Sequence, residues 1–358
     1  MYPPINRNRE ALIKCIFAAP KAKRRRRASG GLAGMLLLLV LSSLPHCSYV
    51  DNRQIQGDAI AVGSWNQNTP WDLDSLYEYN RKAGQKAAVV LWYQSWDPGS
   101  DSEFCTSCAQ RLYDEGYAQV VTWAPMDWKL YQTVGADQPD YSLEAIVSGE
   151  HDDYIRQYAQ DIKTSAVPIY LRPMHEMNGD WYPWGENING NKPEKFKEVW
   201  IHIHDIFERE GVANVEWVWS PNVGEPVRNP TYPMNAYYPG DYYVDWLGLD
   251  GYNYAGSRDM PWYTFEQIFA SSYSEILAVS PDKPLMIAET GSDETGGSKA
   301  QWIEDMQSAL PIKFPNVKAL IWFNQDEDLS ELRIDSSQPA LRAYRGLVND
   351  PYFRGKID

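Results

Sequence analysis

The sequence predicts an α/β protein built on one (β/α)8 barrel, the TIM-barrel architecture. From residue 58 onward, short β-rich runs alternate with longer helical stretches, as in repeated βα units around a parallel sheet. Runs such as 87–92 and 319–323 are continuously apolar, which is typical of parallel strands buried on both faces. A doubly wound sheet would give similar runs. We favour the barrel because polar residues suited to function follow strand after strand, and barrel sites gather at the carboxyl ends of strands.

The predicted strands are short and spread over the whole region after residue 58. They lie near Ile60–Trp65, Ala87–Trp92, Gln119–Trp123, Val167–Leu171, Val215–Trp219, Trp246–Asp250, Leu285–Ala288 and Ala319–Phe323. Helices are predicted at Ile146–Ser165, Pro193–Glu210, Thr264–Val279 and Ser298–Ala309. No glycine-rich phosphate loop follows the first strand, which argues against a nucleotide-binding fold. We therefore expect a single domain over residues 51–358.

Residues 1–50 differ in character from the rest of the chain. Residues 1–27 hold nine of the 33 Lys and Arg residues but only one of the 48 Asp and Glu residues. The rest of the chain therefore has 24 basic and 47 acidic residues. The acidic body excludes nucleic acid as a partner. The basic run Lys21–Arg27 precedes an apolar run at 32–44, shorter than the roughly 20 residues of a membrane span. This pattern predicts an export signal, with an uncleaved anchor as the alternative, and hence a secreted or extracytoplasmic protein that meets a membrane only through residues 32–44.

The four cysteines are too few for a disulfide framework. Cys105 and Cys108 form either a small local disulfide or two free thiols. Cys47 lies where a lipoprotein cysteine would stand. The residue directly before it, His46, is not the small residue that lipoprotein processing favours. Lipidation of Cys47 is therefore left open.

The most informative segment follows the fourth predicted strand. It reads Leu171-Arg-Pro-Met-His-Glu-Met-Asn-Gly-Asp-Trp-Tyr-Pro-Trp-Gly185. Glu176 combined with a neighbouring His, an amide and two Trp supplies a proton donor, hydroxyl-binding groups and stacking surfaces, which sugar chemistry requires. The seventh strand carries a second carboxylate, Glu289, to the same end of the barrel, so both acids can act on one bond. A structural alternative, in which such a Glu only pairs with Arg172, remains open at this point.

An ordered series of motifs resembles glycoside hydrolase family 26, which is best known for endo-β-mannanases and includes rarer enzymes that cut mixed-linkage β-glucan or β-1,3-xylan. The resemblance covers roughly residues 58–352. Its motifs are Arg172-Pro-Met-His-Glu-Met-Asn-Gly-Asp-Trp181, Trp217-Val-Trp-Ser-Pro-Asn222, Tyr243-Val-Asp-Trp-Leu-Gly-Leu-Asp-Gly-Tyr-Asn253, Ile287-Ala-Glu-Thr-Gly-Ser292 and Ile321-Trp-Phe-Asn324.

The resemblance implies a retaining, endo-acting hydrolase of β-1,4-linked mannan or glucomannan that works by double displacement. It makes Glu176 the general acid/base and Glu289 the nucleophile. Around the cleaved sugar it places His175, Trp181, Asp250, Tyr252 and Trp322. Tyr252 can donate a hydrogen bond to the nucleophile, Trp322 can form a platform beneath the sugar, and Trp181 can shape the leaving-group side. For each aromatic residue, ordinary barrel packing is the alternative.

The third strand departs from the mannanase pattern. Its segment Val121–Trp128 contains no His, whereas many mannanases place a sugar-contacting His in this region. Trp123 and Asp127 are the candidates for lining the cleft there. A β-1,3-1,4-glucanase, a β-1,3-xylanase or an exopolysaccharide hydrolase on the same scaffold therefore stays open.

Other classes of function fit the sequence less well. The chain has five His, and His202 and His204 stand two apart on a predicted helix, where they do not share a face, so we expect no metal site and no cofactor. No Gly-x-Ser-x-Gly motif indicates a serine hydrolase. A non-catalytic carbohydrate-binding barrel would tolerate the loss of one acid, and a structural surface protein would need neither. We expect a monomer.

Overall fold

The computed structural model describes residues 59–255, 260–327 and 330–357. Eight parallel strands close into a barrel in sequence order, and β1 pairs with β8 to complete it. The predicted (β/α)8 fold and all eight predicted strands are confirmed. The strands are β1 (Ala61–Trp65), β2 (Val89–Ser95), β3 (Ala118–Ala124), β4 (Ile169–Pro173), β5 (Val215–Trp219), β6 (Trp246–Asn253), β7 (Leu285–Ser292) and β8 (Val317–Phe323).

Helices surround the barrel and connect its strands. They are α1 (Asp74–Ala83), α2 (Thr106–Asp114), α3 (Trp128–Val134), α4 (Leu143–Val147), α5 (Asp152–Ser165), α6 (Pro193–Glu210), α7 (Phe265–Val279), α8 (Lys299–Lys313) and α9 (Gln338–Asn349). A two-stranded hairpin, β9 (Asp326–Glu327) and β10 (Ser330–Glu331), follows β8.

The predicted helix Ile146–Ser165 is wrong at its first turn. Two helices, α4 and α5, occupy this region instead, separated by a turn at 148–151. Gly149 in that turn has φ of +92°, a conformation that favours glycine and cannot continue a right-handed helix. The other predicted helix starts hold closely: Thr264 and Ser298 are the N-caps of α7 and α8, and their side chains accept hydrogen bonds from the first turns. Helix α8 continues to Lys313, past its predicted end at Ala309.

The hydrophobic residues form two layers, because successive side chains of a strand point to opposite faces. On β8, Ala319, Ile321 and Phe323 pack inside the barrel. Leu320 and Trp322 pack outside it, in the larger layer between the strands and the helices. The inner layer ends near the carboxyl ends of the strands, where polar side chains replace apolar ones.

Several expectations concern the segment before the barrel or the cysteines. The basic run, the apolar run at 32–44 and Cys47 lie outside the described residues. Within the ranges given above, no helix is long and apolar enough to span a bilayer. Cys108 is a free cysteine, so the local disulfide with Cys105 is not formed. Burial raises the pKa of the Cys108 thiol to about 11.

Candidate active site

Glu176 stands in a turn directly after β4. Met174 and Glu176 have φ of +48° and +54°, a left-handed conformation that non-glycine residues rarely adopt. The turn is held from the neighbouring strand, since the Glu176 N–H donates to the Ser220 carbonyl at 2.7 Å. The strained turn replaces the regular continuation of β4 and carries the Glu176 carboxyl to the mouth of the barrel.

Both carboxyl oxygens of Glu176 accept a hydrogen bond. Trp181 Nε1 donates to Oε2 at 2.7 Å, and Asn222 Nδ2 donates to Oε1 at 2.6 Å. Asn222 is fixed in turn by Asn178, whose Oδ1 accepts from the Asn222 N–H and whose Nδ2 donates to the Asn222 carbonyl, both at 2.8 Å. The orientation of the Glu176 carboxyl is therefore defined on both sides.

Glu289 lies on β7 and accepts hydrogen bonds from three side chains. Tyr252 donates to Oε2 at 2.6 Å, while Tyr93 and Arg172 both donate to Oε1. His175 Nε2 lies 4.0 Å from the same Oε1. These three donors, one of them a guanidinium, fix the orientation of the Glu289 carboxyl group.

Arg172 on β4 links Glu289 to a second buried carboxylate, Asp250. Its Nη1 donates to both Asp250 oxygens, at 2.8 and 2.9 Å, and the side chains of Arg172 and Asp250 are both fully buried. Thr122 Oγ1 accepts from Nε and Nη2, and Ser220 Oγ donates to Asp250. Asp250 and Glu289 are register partners on β6 and β7, so strand pairing places the two acids side by side, where Nη1 and Nη2 of Arg172 contact one each.

The environment of Glu176 favours its protonated form. Burial, and then the charge of Glu289, raise the pKa of Glu176 to about 7 against the opposing hydrogen bonds from Asn222 and Trp181. Glu176 can therefore hold a proton near neutral pH. A carboxyl that keeps its proton near neutral pH is what a general acid requires.

The tyrosines that contact Glu289 remain hydrogen-bond donors. Burial, followed by the charge of Glu289, raises the pKa values of Tyr93 and Tyr252 well above the ordinary value. Burial lowers the pKa of the Arg172 guanidinium, but the neighbouring Asp250 and Glu289 outweigh this effect and raise the pKa above the usual range. The cluster thus holds Arg172 as a cation and the two tyrosines as neutral phenols.

Comparison with known proteins agrees with this geometry. The profile of glycosyl hydrolase family 26 matches residues 121–295, a range that includes Arg172, Glu176, Asp250 and Glu289. The chain belongs to glycosyl hydrolase family 26. The match contains the whole constellation of buried acids and its arginine, and the ordered motifs in the sequence lead to the same family.

Individual relatives of this family 26 chain carry different names. It is 32% identical over 321 residues to Endoglucanase H of Acetivibrio thermocellus, an alignment that covers 88% of this chain and 33% of that protein. It is 32% identical over 162 residues to a mannan endo-1,4-beta-mannosidase of Bacillus subtilis, which covers 44% of this chain and 38% of that one. The chain thus spans only about a third of the length of the first relative and 38% of the second.

Solved structures support the fold. A Cellulomonas fimi endo-beta-1,4-mannanase superposes with a TM-score of 0.62 over 84% of this chain and 73% of that chain, at 18% sequence identity. At this identity the likeness concerns the barrel architecture.

The structure brings most of the predicted residues of the family 26 site together. His175 is buried beside Glu289, with its Nε2 3.1 Å from the Tyr182 hydroxyl. Trp181 is half-buried, and the Arg228 guanidinium lies 5.0 Å from its ring centroid. A Cβ on Gly179 would lie 2.4 Å from the Trp181 ring, so only glycine leaves room for the indole.

Three predicted positions need correction. Trp322 lies in the outer layer, where its Nε1 donates to the Leu332 carbonyl at 2.7 Å, so it is not a platform beneath the sugar. Asp250 is fully buried and paired with Arg172, so it is not exposed for direct contact with a sugar. Trp123 stacks on Tyr158 in the outer layer, with centroids 4.5 Å apart. Asp127 caps α3 by accepting from the Leu130 N–H at 2.9 Å and is only partly buried, so its place at the edge of the cleft stays a prediction.

Two residues of the site were missed by the sequence reasoning. Tyr93 donates to Glu289, and Asn222 donates to Glu176. A signal for Tyr93 exists, because it shares the inner face of β2 with Val89 and Leu91 and is the first polar residue on that face. Asn222 follows β5 as the last residue of the motif Trp217–Asn222, but only the fold shows that it faces Glu176. Among the described residues, no cluster of His, Cys, Asp or Glu is suited to hold a metal ion.

Proposed function

We propose that this chain is a retaining, endo-acting glycoside hydrolase that cleaves β-1,4-mannosidic linkages in mannan or glucomannan. Glu289 is the nucleophile and Glu176 is the general acid/base. The observation that carries the proposal is the contrast between the two buried carboxyls: Glu289 accepts from Arg172 and two tyrosines, whereas the pKa of Glu176 is raised to about 7.

In the first step a Glu289 oxygen attacks the anomeric carbon, and the bond from that carbon to the glycosidic oxygen breaks. Glu176 gives its proton to the departing oxygen, and a glycosyl ester of Glu289 forms. The hydrogen bonds from Tyr93, Tyr252 and Arg172 hold the Glu289 carboxylate in place for the attack. Trp181 and Asn222 hold the Glu176 carboxyl by its two oxygens.

In the second step Glu176, now ionised, takes a proton from water while the water oxygen attacks the same carbon. The ester bond to Glu289 breaks, and the sugar leaves with its original β configuration. As the ester forms, Glu289 loses its negative charge, and the pKa of Glu176 falls because that charge had helped to raise it. The same residue can therefore act as an acid first and as a base second.

Two substrate classes have support. The names of several relatives, including the Bacillus subtilis mannosidase, favour β-1,4-mannan. A β-glucan is the second candidate, because the relative that aligns over 88% of this chain is named an endoglucanase. The segment after β3, which lacks the His found in many mannanases, also favours the glucan.

Product analysis separates these candidates. The chain is incubated with mannan, glucomannan, lichenan and β-1,3-xylan, with the Glu289→Ala variant as the control for contaminating activity. We expect a ladder of oligosaccharides from mannan and glucomannan, and the β anomer as the first product by proton NMR. Hydrolysis of lichenan without action on mannans would assign the glucanase function instead, and an α anomer would exclude retention.

The proposal also includes export of the barrel, residues 51–358, by the segment 1–50. Its support is the basic run before the uncharged apolar residues 32–44, since Lys and Arg before such a segment tend to stay on the cytoplasmic side. Cell fractionation and N-terminal sequencing test it. A mature chain that begins near residues 45–58 supports release, an intact membrane-bound chain supports an anchor, and full-length soluble protein in the cytoplasm contradicts export.

A further inference from the structure

Helix α3 lies at the rim of the barrel mouth, directly after β3. Its N-cap is Asp127, and the Trp128 N–H donates to Asp97 Oδ1 beyond the end of β2 at 2.9 Å, so two strand ends position the helix. No residue of α3 is fully buried, and its Leu130 and Val134 are 41% and 49% exposed. The helix therefore adds a partly apolar, solvent-facing edge to the active-site end of the barrel.

An aromatic row leads from the catalytic centre to α3. Trp128 and Tyr131, one turn apart, have nearly parallel rings, with centroids 5.5 Å apart and 13° between their planes. The Tyr131 ring lies 6.2 Å from Tyr182, whose hydroxyl contacts His175 at 3.1 Å. His175 lies 4.0 Å from Glu289. The row is continuous from the catalytic carboxylate to the rim.

The row reaches the rim on the leaving-group side. Tyr131 donates its hydroxyl hydrogen to the Trp181 carbonyl at 2.6 Å, and Trp181 donates to Glu176. Glu176 delivers its proton to the departing oxygen, so the side chains next to Trp181 flank the part of the substrate that leaves. Tyr131 contacts Trp181 directly, and Trp128 pairs with Tyr131.

We propose that Trp128 and Tyr131 form a sugar-stacking platform that binds a distal ring of the leaving portion of the polysaccharide. The proposal rests on the proposed function of the site. Both rings are half-buried, Trp128 lies at the outer end of the row, and flat aromatic rings suit the apolar faces of sugars. A long chain would engage the platform, whereas a substrate with a small leaving group would not reach it.

The test compares substrates that differ in the length of the leaving portion. The wild type and the Trp128→Leu variant are assayed on 4-nitrophenyl β-mannobioside and on mannohexaose, or on the matching gluco-oligosaccharides if the wild type prefers glucan. We expect the ratio of kcat/KM for the hexasaccharide to kcat/KM for the aryl glycoside to fall about three- to ten-fold in Trp128→Leu, mainly through KM. Trp128→Phe, which keeps a ring, should restore most of the ratio.

Tyr242→Ala is the matched control. Tyr242 is an aromatic residue that is 72% exposed, in the turn before β6 and thus at the opposite end of the barrel, and its loss should leave both kcat/KM values unchanged. An unchanged ratio in Trp128→Leu, or equal losses on both substrates, would show that the ring only packs. If Trp128→Leu does not fold, Tyr131→Leu decides: a similar fall in its ratio supports the platform, and an unchanged ratio contradicts it. Wild-type protein without activity on any of these substrates refutes the proposed function and not the platform alone.

Discussion

Removal of the Asn222 amide should make Glu176 a weaker acid. Asn222 Nδ2 donates to Glu176 Oε1 at 2.6 Å, and this hydrogen bond opposes the rise in the Glu176 pKa that burial causes. A hydrogen bond to a charged group contributes about 1.5–3 kcal/mol, which corresponds to about 1–2 pKa units. Water can enter the space left by Asn222→Ala and replace part of the lost hydrogen bond to Glu176. We therefore expect the pKa of Glu176 to rise by about one unit.

A raised pKa of Glu176 should extend activity to higher pH. The protonated form of Glu176 is needed to protonate the leaving group, and a raised pKa preserves this form to higher pH. The alkaline limb of kcat/KM, which reports the acid in the free enzyme, should therefore move from about 7 in the wild type to about 8 in Asn222→Ala.

The assay is a pH profile of kcat/KM between pH 4 and 10 with a substrate that the wild type cleaves. Asn349→Ala is the control, because the Asn349 amide bonds locally at the end of α9: its Nδ2 donates to the Arg345 carbonyl at 2.8 Å, and its Oδ1 accepts from Arg354 at 3.0 Å. An alkaline limb that stays in place, or that moves to lower pH while the variant remains folded, would refute the assignment of Asn222 as a residue that tunes Glu176.

Three further perturbations test the rest of the site. Glu176→Ala should lower kcat/KM about 10²- to 10⁴-fold, and azide should restore part of the turnover of an aryl glycoside; absence of a glycosyl azide would argue against the acid/base role. Tyr252→Phe and Tyr93→Phe each remove a donor to Glu289 and should lower kcat about 10- to 100-fold; wild-type kinetics would exclude a contribution. Arg172→Met leaves two buried carboxylates without their cation and should lower the free energy of unfolding in urea by about 3–5 kcal/mol; an unchanged midpoint would contradict that.

The barrel could be predicted because its signals are local. Buried parallel strands appear as short apolar runs, and helices appear as longer amphipathic stretches with capping residues such as Thr264 and Ser298. The break between α4 and α5 was missed because it depends on the left-handed backbone of Gly149. The sequence alone does not show whether a glycine in a helical pattern adopts a positive φ.

The candidate site could be located from the sequence, but two of the residues that donate hydrogen bonds to its carboxyl groups could not. Glu176 and Glu289 follow or end recognisable strands, so their shared position at the barrel mouth follows from the fold. Tyr93 and Asn222 act through contacts between residues that are distant in sequence, and no spacing reveals such contacts. The orientation of Trp322 could have been derived, because strand alternation places it opposite to Ala319, Ile321 and Phe323.

The direct test of the central claim is to trap the covalent intermediate. An activated 2-deoxy-2-fluoro glycoside of the cleaved sugar slows both steps, and its good leaving group allows the glycosyl-enzyme to accumulate. Mass spectrometry of proteolytic peptides then locates the label, with Glu289→Ala as the unlabelled control. The account predicts one sugar per chain, attached to Glu289 in the peptide that contains Ile287-Ala-Glu-Thr-Gly291. A label on Glu176 or another residue, or no label together with inverted product, would contradict it.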